Sequence, residues 1–281
     1  MSHAVSGHAH GGAGSGGHAA TAPGEGFINK HYFLLRRLHS LSGVAPIGVF
    51  LFPHLTTNSS ILWGQMLAKS HYVTGEAGHA GVETFQHEVN FIHSLPALQI
   101  IEWGVLFIPI IFHAVLGLYF ARTGMPNVRH YNYQDNWRYT LQRTTGYIGI
   151  VYLFMHITSL RFGWEYWGLM PTFDANYAAS TTAVHFQTYP WIVPLVYLIG
   201  VMSLVFHFAN GLWTAAITWG LTVSVKAQQR WGYVCAAVGV GLAGAGLAAI
   251  VGFTTLDPAQ ARHIEGKMLE GHPAGAEQAE D

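Results

Sequence analysis

The sequence is short of charge and nearly devoid of cysteine. Charged residues make up 10% of its 281 positions, against roughly one quarter in soluble domains, while 51% are apolar. No carboxylate pair, nucleophile triad or phosphate-binding loop stands in a soluble context, which excludes the common soluble enzyme classes. Neither sign of charge is in excess: 13 Lys and Arg stand against 14 Asp and Glu. That balance excludes nucleic acid as a partner, since neutralising phosphates needs a basic stripe. The single cysteine, Cys235, lies in an apolar run. One thiol excludes an intrachain disulfide, a CxxCH haem attachment, a cysteine-ligated iron–sulfur cluster and a thiolate zinc site. A redox centre on this chain must therefore use histidine, of which there are 18.

Residues 1–26 also lack the charged and apolar regions of a secretory signal and, being rich in Gly, Ala and His, read as a disordered tail. Residues 256–281 read as a second polar tail, mobile or paired with a partner subunit. Between them, over 27–255, lie apolar stretches near 38–57, 96–121, 143–162, 190–221 and 231–254. Each reaches the roughly 20 residues that cross a bilayer as a helix. Pro46, Pro109 and Pro194 interrupt three of them, which membrane helices tolerate. The expected fold is all-α and transmembrane, with five helices in contact with membrane lipid. Nine Lys and Arg fall on the N-terminal side of the alternating loops and four on the other. By the positive-inside rule the N-terminus faces the cytoplasm and the C-terminus lies outside a plasma (inner) membrane.

His54, His113, His156 and His207 lie well inside apolar stretches, one in each of helices one to four. His54 and His156 follow the entry points Arg37 and Arg143 by 17 and 13 residues, roughly 25 and 20 Å along a helix. His113 and His207 each follow a proline, Pro96 and Pro190, by 17 residues in helices of the opposite direction. Two pairs result, separated by roughly 15–20 Å along the membrane normal, and each could supply both axial ligands of one haem. A single membrane histidine often serves only as an interhelical hydrogen-bonding group, and a proton relay is a further alternative. Four matched in depth favour metal ligation. His113 and His207 are each followed four residues later by a glycine, Gly117 and Gly211, and Gly43 and Gly146 precede His54 and His156 by eleven and ten. The echo suggests a duplicated helix pair, with glycines leaving room for a macrocycle.

Donors for haem propionates are available at Arg36, Arg37, His39 and Ser40, at Gln142 and Arg143, and at Thr218 beside Trp219. The arginines also serve as topogenic residues. Glu102 lies about six residues, roughly 9 Å, into helix two and reads either as a proton acceptor or donor in a quinone site or as a structural hydrogen-bonding group. His93, Glu88 and His87 are interfacial alternatives. The stretch 71–93 carries four histidines on what reads as a loop, a place for adventitious metal at most.

Four segments, RRLHSLSGVAPIGVFLFPHLTTNS (36–59), SLPALQIIEWGVLFIPIIFHAVLGLY (94–119), LQRTTGYIGIVYLFMH (141–156) and FHFANGLWTAAITWG (206–220), together resemble a known family. They are similar to the cytochrome b membrane anchor of succinate:quinone oxidoreductase, the single-polypeptide, five-helix type with two haem b groups, over about 30–255. The resemblance implies that His113 and His207 ligate a proximal haem near cytoplasmic dehydrogenase subunits, and His54 and His156 a distal one. It places His39, Ser40, Gln142 and Thr218 near propionates and puts menaquinone in an outward-facing pocket close to Glu102. It also implies two partners, a flavoprotein subunit that oxidises succinate and an iron–sulfur subunit that passes the electrons on. Quinol:fumarate reductases share the family; an acid that marks some of them two residues before the second proximal ligand is here Val205, which favours succinate oxidation. The other readings are a cytochrome b of a hydrogenase, nitrate reductase or formate dehydrogenase, and a haem-free channel.

Overall fold

The structure, a computed structural model, describes residues 30–67, 80–123, 134–168 and 170–271. Both ends of the chain, and with them the N-terminal histidines, lie outside the described residues, as do His71 and His79 in the internal stretch 68–79.

The first long rod, α1, is α-helical over Tyr32–Ser42, π-helical over Gly43–Gly48 and α-helical again over Val49–Leu67. Helix α2 spans Ala80–His93. The second rod, α3, has the same build as α1: Leu98–Ile101, a π-helical stretch at Glu102–Phe107, then Ile108–Thr123. Helix α4 covers Gln134–Leu160, a short 3-10 turn at Ala175–Tyr177 leads into α5 at Ala178–Thr188, and α6 covers Ile192–Thr218. Helices α7, Val225–Thr255, and α8, Pro258–Gly271, complete the described fold. The π-helical stretches accompany prolines: Pro46 lies inside the first, and Pro109 follows the second by two residues. Proline withholds an N–H and crowds the carbonyl four residues back, and a wider turn relieves that crowding. Pro194 causes no such break because it falls in the first turn of α6, where its N–H has no helical partner to lose.

Among the described residues, four helices are long and apolar enough to cross a membrane: Tyr32–Gly64, Leu98–Thr123, Ile192–Thr218 and Val225–Thr255. Helix α4, with 27 residues, has the length at 1.5 Å per residue, but its first turns, QDNWRYTLQR, lower its hydropathy. Helix α7 packs along both α6 and α1, α6 packs along α4, and α3 lies against α1. No residue in the apolar window of α3 is buried. Its Val105, Ile108, Ile111 and Val115 are exposed, the pattern of a helix whose outer face meets lipid rather than water.

The tightest core lies at one end, where the short helices α2, α5 and α8 pack on each other and on the rods. We call this the cap. Phe253 stands edge-on to Phe85 at 5.2 Å and near Phe186 at 5.9 Å, and Phe186 tilts onto Tyr197 at 4.4 Å. Ala178, Ala179, Ala261 and Ile264 are fully buried where α8 crosses α5, small side chains allowing the close approach. The N-terminus of α5 is capped from two sides. Gln86 Oε1 accepts from the Ala178 N–H at 2.9 Å, and Glu265 Oε1 accepts from the Ala179 and Ser180 N–H groups at 2.6 and 3.2 Å. These contacts satisfy donors that a helix start leaves free. Burial pushes the Glu265 carboxyl up, against the pull of those N–H groups and of Arg262. Two sequence expectations change here. The stretch read as a histidine-rich loop is helical from Ala80 to His93, and the stretch read as a C-terminal tail forms α8 over Pro258–Gly271.

Candidate functional site

The four membrane histidines meet in two pairs. At the end away from the cap, His113 of α3 faces His207 of α6, with ring centroids 6.0 Å apart and planes crossed at 84°. At the cap end, His54 of α1 faces His156 of α4 at 5.9 Å and 82°. No hydrogen bond joins the rings within either pair. Two imidazoles bound to opposite sides of one metal, at about 2.0 Å per bond, have centroids roughly 6 Å apart. Rings hydrogen-bonded directly to each other would stand closer. The spacing therefore fits a metal ion between each pair.

The pair away from the cap is built by repetition. His113 Nδ1 donates to the His39 carbonyl at 2.9 Å, and His207 Nδ1 donates to the Gln142 carbonyl at 3.0 Å. A carbonyl only accepts, so the proton sits on Nδ1 and Nε2 keeps a lone pair, the tautomer a metal ligand needs. Each histidine also closes on a glycine four residues beyond its carbonyl partner. A Cβ on Gly43 would meet His113 Cε1 at 2.5 Å, and one on Gly146 would meet His207 Cε1 at 3.0 Å. The other two glycines behave differently from the sequence reading. The room beside Gly117 is taken by the His39 ring, 3.2 Å from an added Cβ, and that beside Gly211 by Gln142 at 3.5 Å. His39 in turn stacks on His113 at 4.0 Å.

At the cap end the support is polar and asymmetric. His156 Nδ1 lies 3.4 Å from the Tyr197 hydroxyl, which lies 3.1 Å from His185 Nε2. Tyr152 stacks on His156 at 5.5 Å and is seated edge-on to Tyr197. His54 is stacked by Phe50 at 5.1 Å, and among the described residues nothing hydrogen-bonds its ring. His185 sits on α5, outside the long apolar rods, where burial pushes its imidazole down to about 4. It is therefore neutral at neutral pH.

Glu102 has a partner that the sequence did not announce. Arg161, just after α4, donates from Nε and Nη2 to its two carboxylate oxygens at 2.9 and 2.7 Å, a bidentate ion pair. Phe107 and Phe162 stand 5.7 Å apart beside it, Trp103 packs on Phe107 at 5.2 Å, and the Arg161 guanidinium lies over Phe162. His93 and Glu88 are carried on α2, His93 exposed at its end and Glu88 half-buried. Among the described residues neither hydrogen-bonds Glu102.

The remaining sequence candidates gather at the end away from the cap. Arg37 lies over the Trp219 ring, Arg143 donates to the Ala121 carbonyl, Ser40 is half-buried, and Thr218 is exposed and donates to Thr214. Gln142 is the best anchored: its Nε2 donates to the His207 carbonyl at 3.1 Å, and its Oε1 accepts from Asn210 at 2.8 Å. Asn210 is itself held by Arg138 Nε at 2.8 Å. The sequence reading missed Asn210, Arg161, Tyr152, Tyr197 and His185. A buried Asn one turn after a membrane histidine was a readable signal; the others gain meaning only through packing.

Apolar rods, crossed histidine pairs at two depths and a folded cap together define an all-helical, multi-pass membrane protein built around paired imidazoles. No protein-family model matches the chain. It is 37% identical over 223 residues to the succinate dehydrogenase cytochrome b558 subunit of Bacillus subtilis (strain 168), an alignment covering 79% of this chain and 96% of that protein. The chain belongs to the family of succinate dehydrogenase cytochrome b subunits, the membrane anchors of succinate:quinone oxidoreductase.

Proposed function

We propose that the chain is a five-helix anchor holding two haem b groups, one between His113 and His207 and the other between His54 and His156. The observation that supports this most is the recurrence of crossed rings at 6.0 and 5.9 Å in two unlike surroundings. The haems would supply one-electron transfer across the bilayer. The protein's own residues do the positioning: the His39 and Gln142 carbonyls fix the ring tautomers at one end, and Tyr197 faces His156 at the other. Arg37, His39, Ser40, Gln142, Arg143 and Thr218 provide the cationic and polar end where propionates are met.

In this reading the N-terminus faces the cytoplasm, so the His113–His207 pair receives electrons from an iron–sulfur subunit, which is supplied by a flavoprotein subunit oxidising succinate. The cap then lies outside. The quinone, menaquinone by the family resemblance, is reduced at the cap end beside Glu102. There Glu102 handles the proton, Arg161 holds its carboxylate in place, Trp103, Phe107 and Phe162 supply ring contacts, and His93 and Glu88 lie toward the surface.

The test is a dithionite-reduced minus oxidised spectrum of the detergent-solubilised complex, with haem quantified per chain and co-purifying proteins identified. Two b-type haems with flavin and iron–sulfur subunits are expected. One haem per chain, or none in a folded preparation, would overturn the reading, and different partner proteins would move the chain to another dehydrogenase.

A further inference from the structure

The two histidine pairs are held differently, and the difference has a chemical consequence. At the end away from the cap both ligands donate Nδ1–H to main-chain carbonyls, acceptors that no side-chain substitution removes. At the cap end His156 faces a phenol instead. If Nε2 of His156 is on a metal, its Nδ1 carries the proton and donates to the Tyr197 oxygen. Among the described residues the Tyr197 proton then has one acceptor, His185 Nε2 at 3.1 Å. The chain runs in one direction, from His156 through Tyr197 to His185, and this is the assignment that gives the phenolic proton a partner.

His185 bears a cost in serving this chain. Its other ring nitrogen, Nδ1, is buried with no hydrogen-bond partner among the described residues, and an unpaired buried polar group is destabilising. A leucine would pack the same aromatic core, between Phe186 and Tyr197, without that cost. The nitrogen directed at Tyr197 is what the histidine adds.

We propose that Tyr197, oriented by His185, is a positioning residue for the cap-end haem: it accepts the Nδ1 hydrogen bond of His156 and thereby sets the reduction potential of the haem that His156 holds. This rests on the di-haem reading above. A hydrogen bond accepted from a ligand imidazole raises its basicity and favours the oxidised metal. Polarisation of the phenol by His185 strengthens the effect. Removing the phenol oxygen must then raise the potential of that haem and leave the other unmoved.

The experiment is a redox titration of the purified complex, wild type and Tyr197→Phe, followed optically, with the cap-end haem identified as the one lost in His54→Ala. Tyr197→Phe keeps the ring in its packing and is expected to raise the cap-end midpoint by about 59 mV, a tenfold change in a one-electron equilibrium, with the other midpoint unchanged. His185→Leu leaves the phenol in place and is expected to move the same midpoint upward by less; His185→Gln, which retains an acceptor, is expected to restore it toward wild type. Midpoints that stay fixed in Tyr197→Phe, or that move together, would overturn the proposal. Should Tyr197→Phe shed its haem, the His185 pair decides by the same criterion. A wild-type complex without a second haem overturns the functional reading first, and is seen before any variant is titrated.

Discussion

In the di-haem reading proposed above, replacing Gly43 by alanine should dislodge the haem at the end away from the cap while sparing the other. The added Cβ would stand 2.5 Å from His113 Cε1 and 2.9 Å from Nδ1. Carbon atoms settle at about 3.5–4.0 Å, so the ring must retreat by about 1 Å. That retreat stretches the 2.9 Å bond from Nδ1 to the His39 carbonyl past the usual limit of about 3.2 Å and disturbs the 6.0 Å spacing to His207. Overpacking costs about 1–3 kcal/mol and the lost hydrogen bond about 1 kcal/mol. The helix preference of alanine returns at most about 1 kcal/mol. The net is about 1–3 kcal/mol, read as roughly fivefold to 150-fold weaker haem retention. The assay is haem content per chain together with the reduced-minus-oxidised spectrum. Gly146→Ala is the internal comparison, since its Cβ meets His207 at 3.0 Å and requires about 0.5 Å less displacement. A Gly43→Ala protein with both haems at wild-type occupancy, or one that loses both equally, would refute the argument.

Four further outcomes are expected. His207→Ala should remove the spectral signal of one haem and His156→Ala that of the other, each leaving its counterpart in place. Glu102→Gln and Arg161→Gln, each breaking the bidentate pair, should lower quinone reduction by tenfold or more at unchanged haem content. The cap should loosen in acid: His185 falls from 6.5 to about 4 on folding, so its contribution is complete above pH 6.5 and is lost as pH drops toward 4. The loss is about 3 kcal/mol at most, read by hydrogen exchange in α5 and absent in His185→Gln. Glu265→Ala should leave the Ala179 and Ser180 N–H groups without their acceptor and destabilise the cap by about 1–2 kcal/mol.

The rods were legible because lipid imposes a one-dimensional rule: a helix must be long and apolar, and its ends carry the charge. Depth arithmetic alone therefore sorted four histidines into the pairs that the structure brings face to face. The cap was less legible because α2 and α8 have 14 residues each, too few to cross, and read as loop and tail by composition. The signal was present in their spacing. Val82, Phe85 and Val89 recur at three and four residues, as do Ala261, Ile264 and Met268, and all six belong to one core with α5. Arg161, Tyr197 and His185 carried no such periodicity, since each takes its partner from another element. Glu102 looked like a lone carboxylate for the same reason: the arginine that meets it is 59 positions away in sequence.

The π-helical stretch of α1 also accounts for a mismatch in the glycine–histidine spacing. From Gly43 to His54 is eleven residues and from Gly146 to His156 is ten; on two uniform α-helices that difference would turn one cap-end histidine about 100° away from its partner. The structure holds them at 5.9 Å because α1 spends residues Gly43–Gly48 in a π-helical stretch, and α4 is α-helical throughout. A π turn takes up one residue more than an α turn, so eleven residues in α1 sweep about the same angle as ten in α4. Pro46 sits inside that stretch, and the proline that seemed only to interrupt a span helps set the phase of His54 two turns further on. Deleting one residue between Gly43 and His54 should therefore be tolerated only if the π turn closes to an α turn. With Pro46 retained, haem content should fall to one per chain; with Pro46→Ala added to the deletion, the second haem should return.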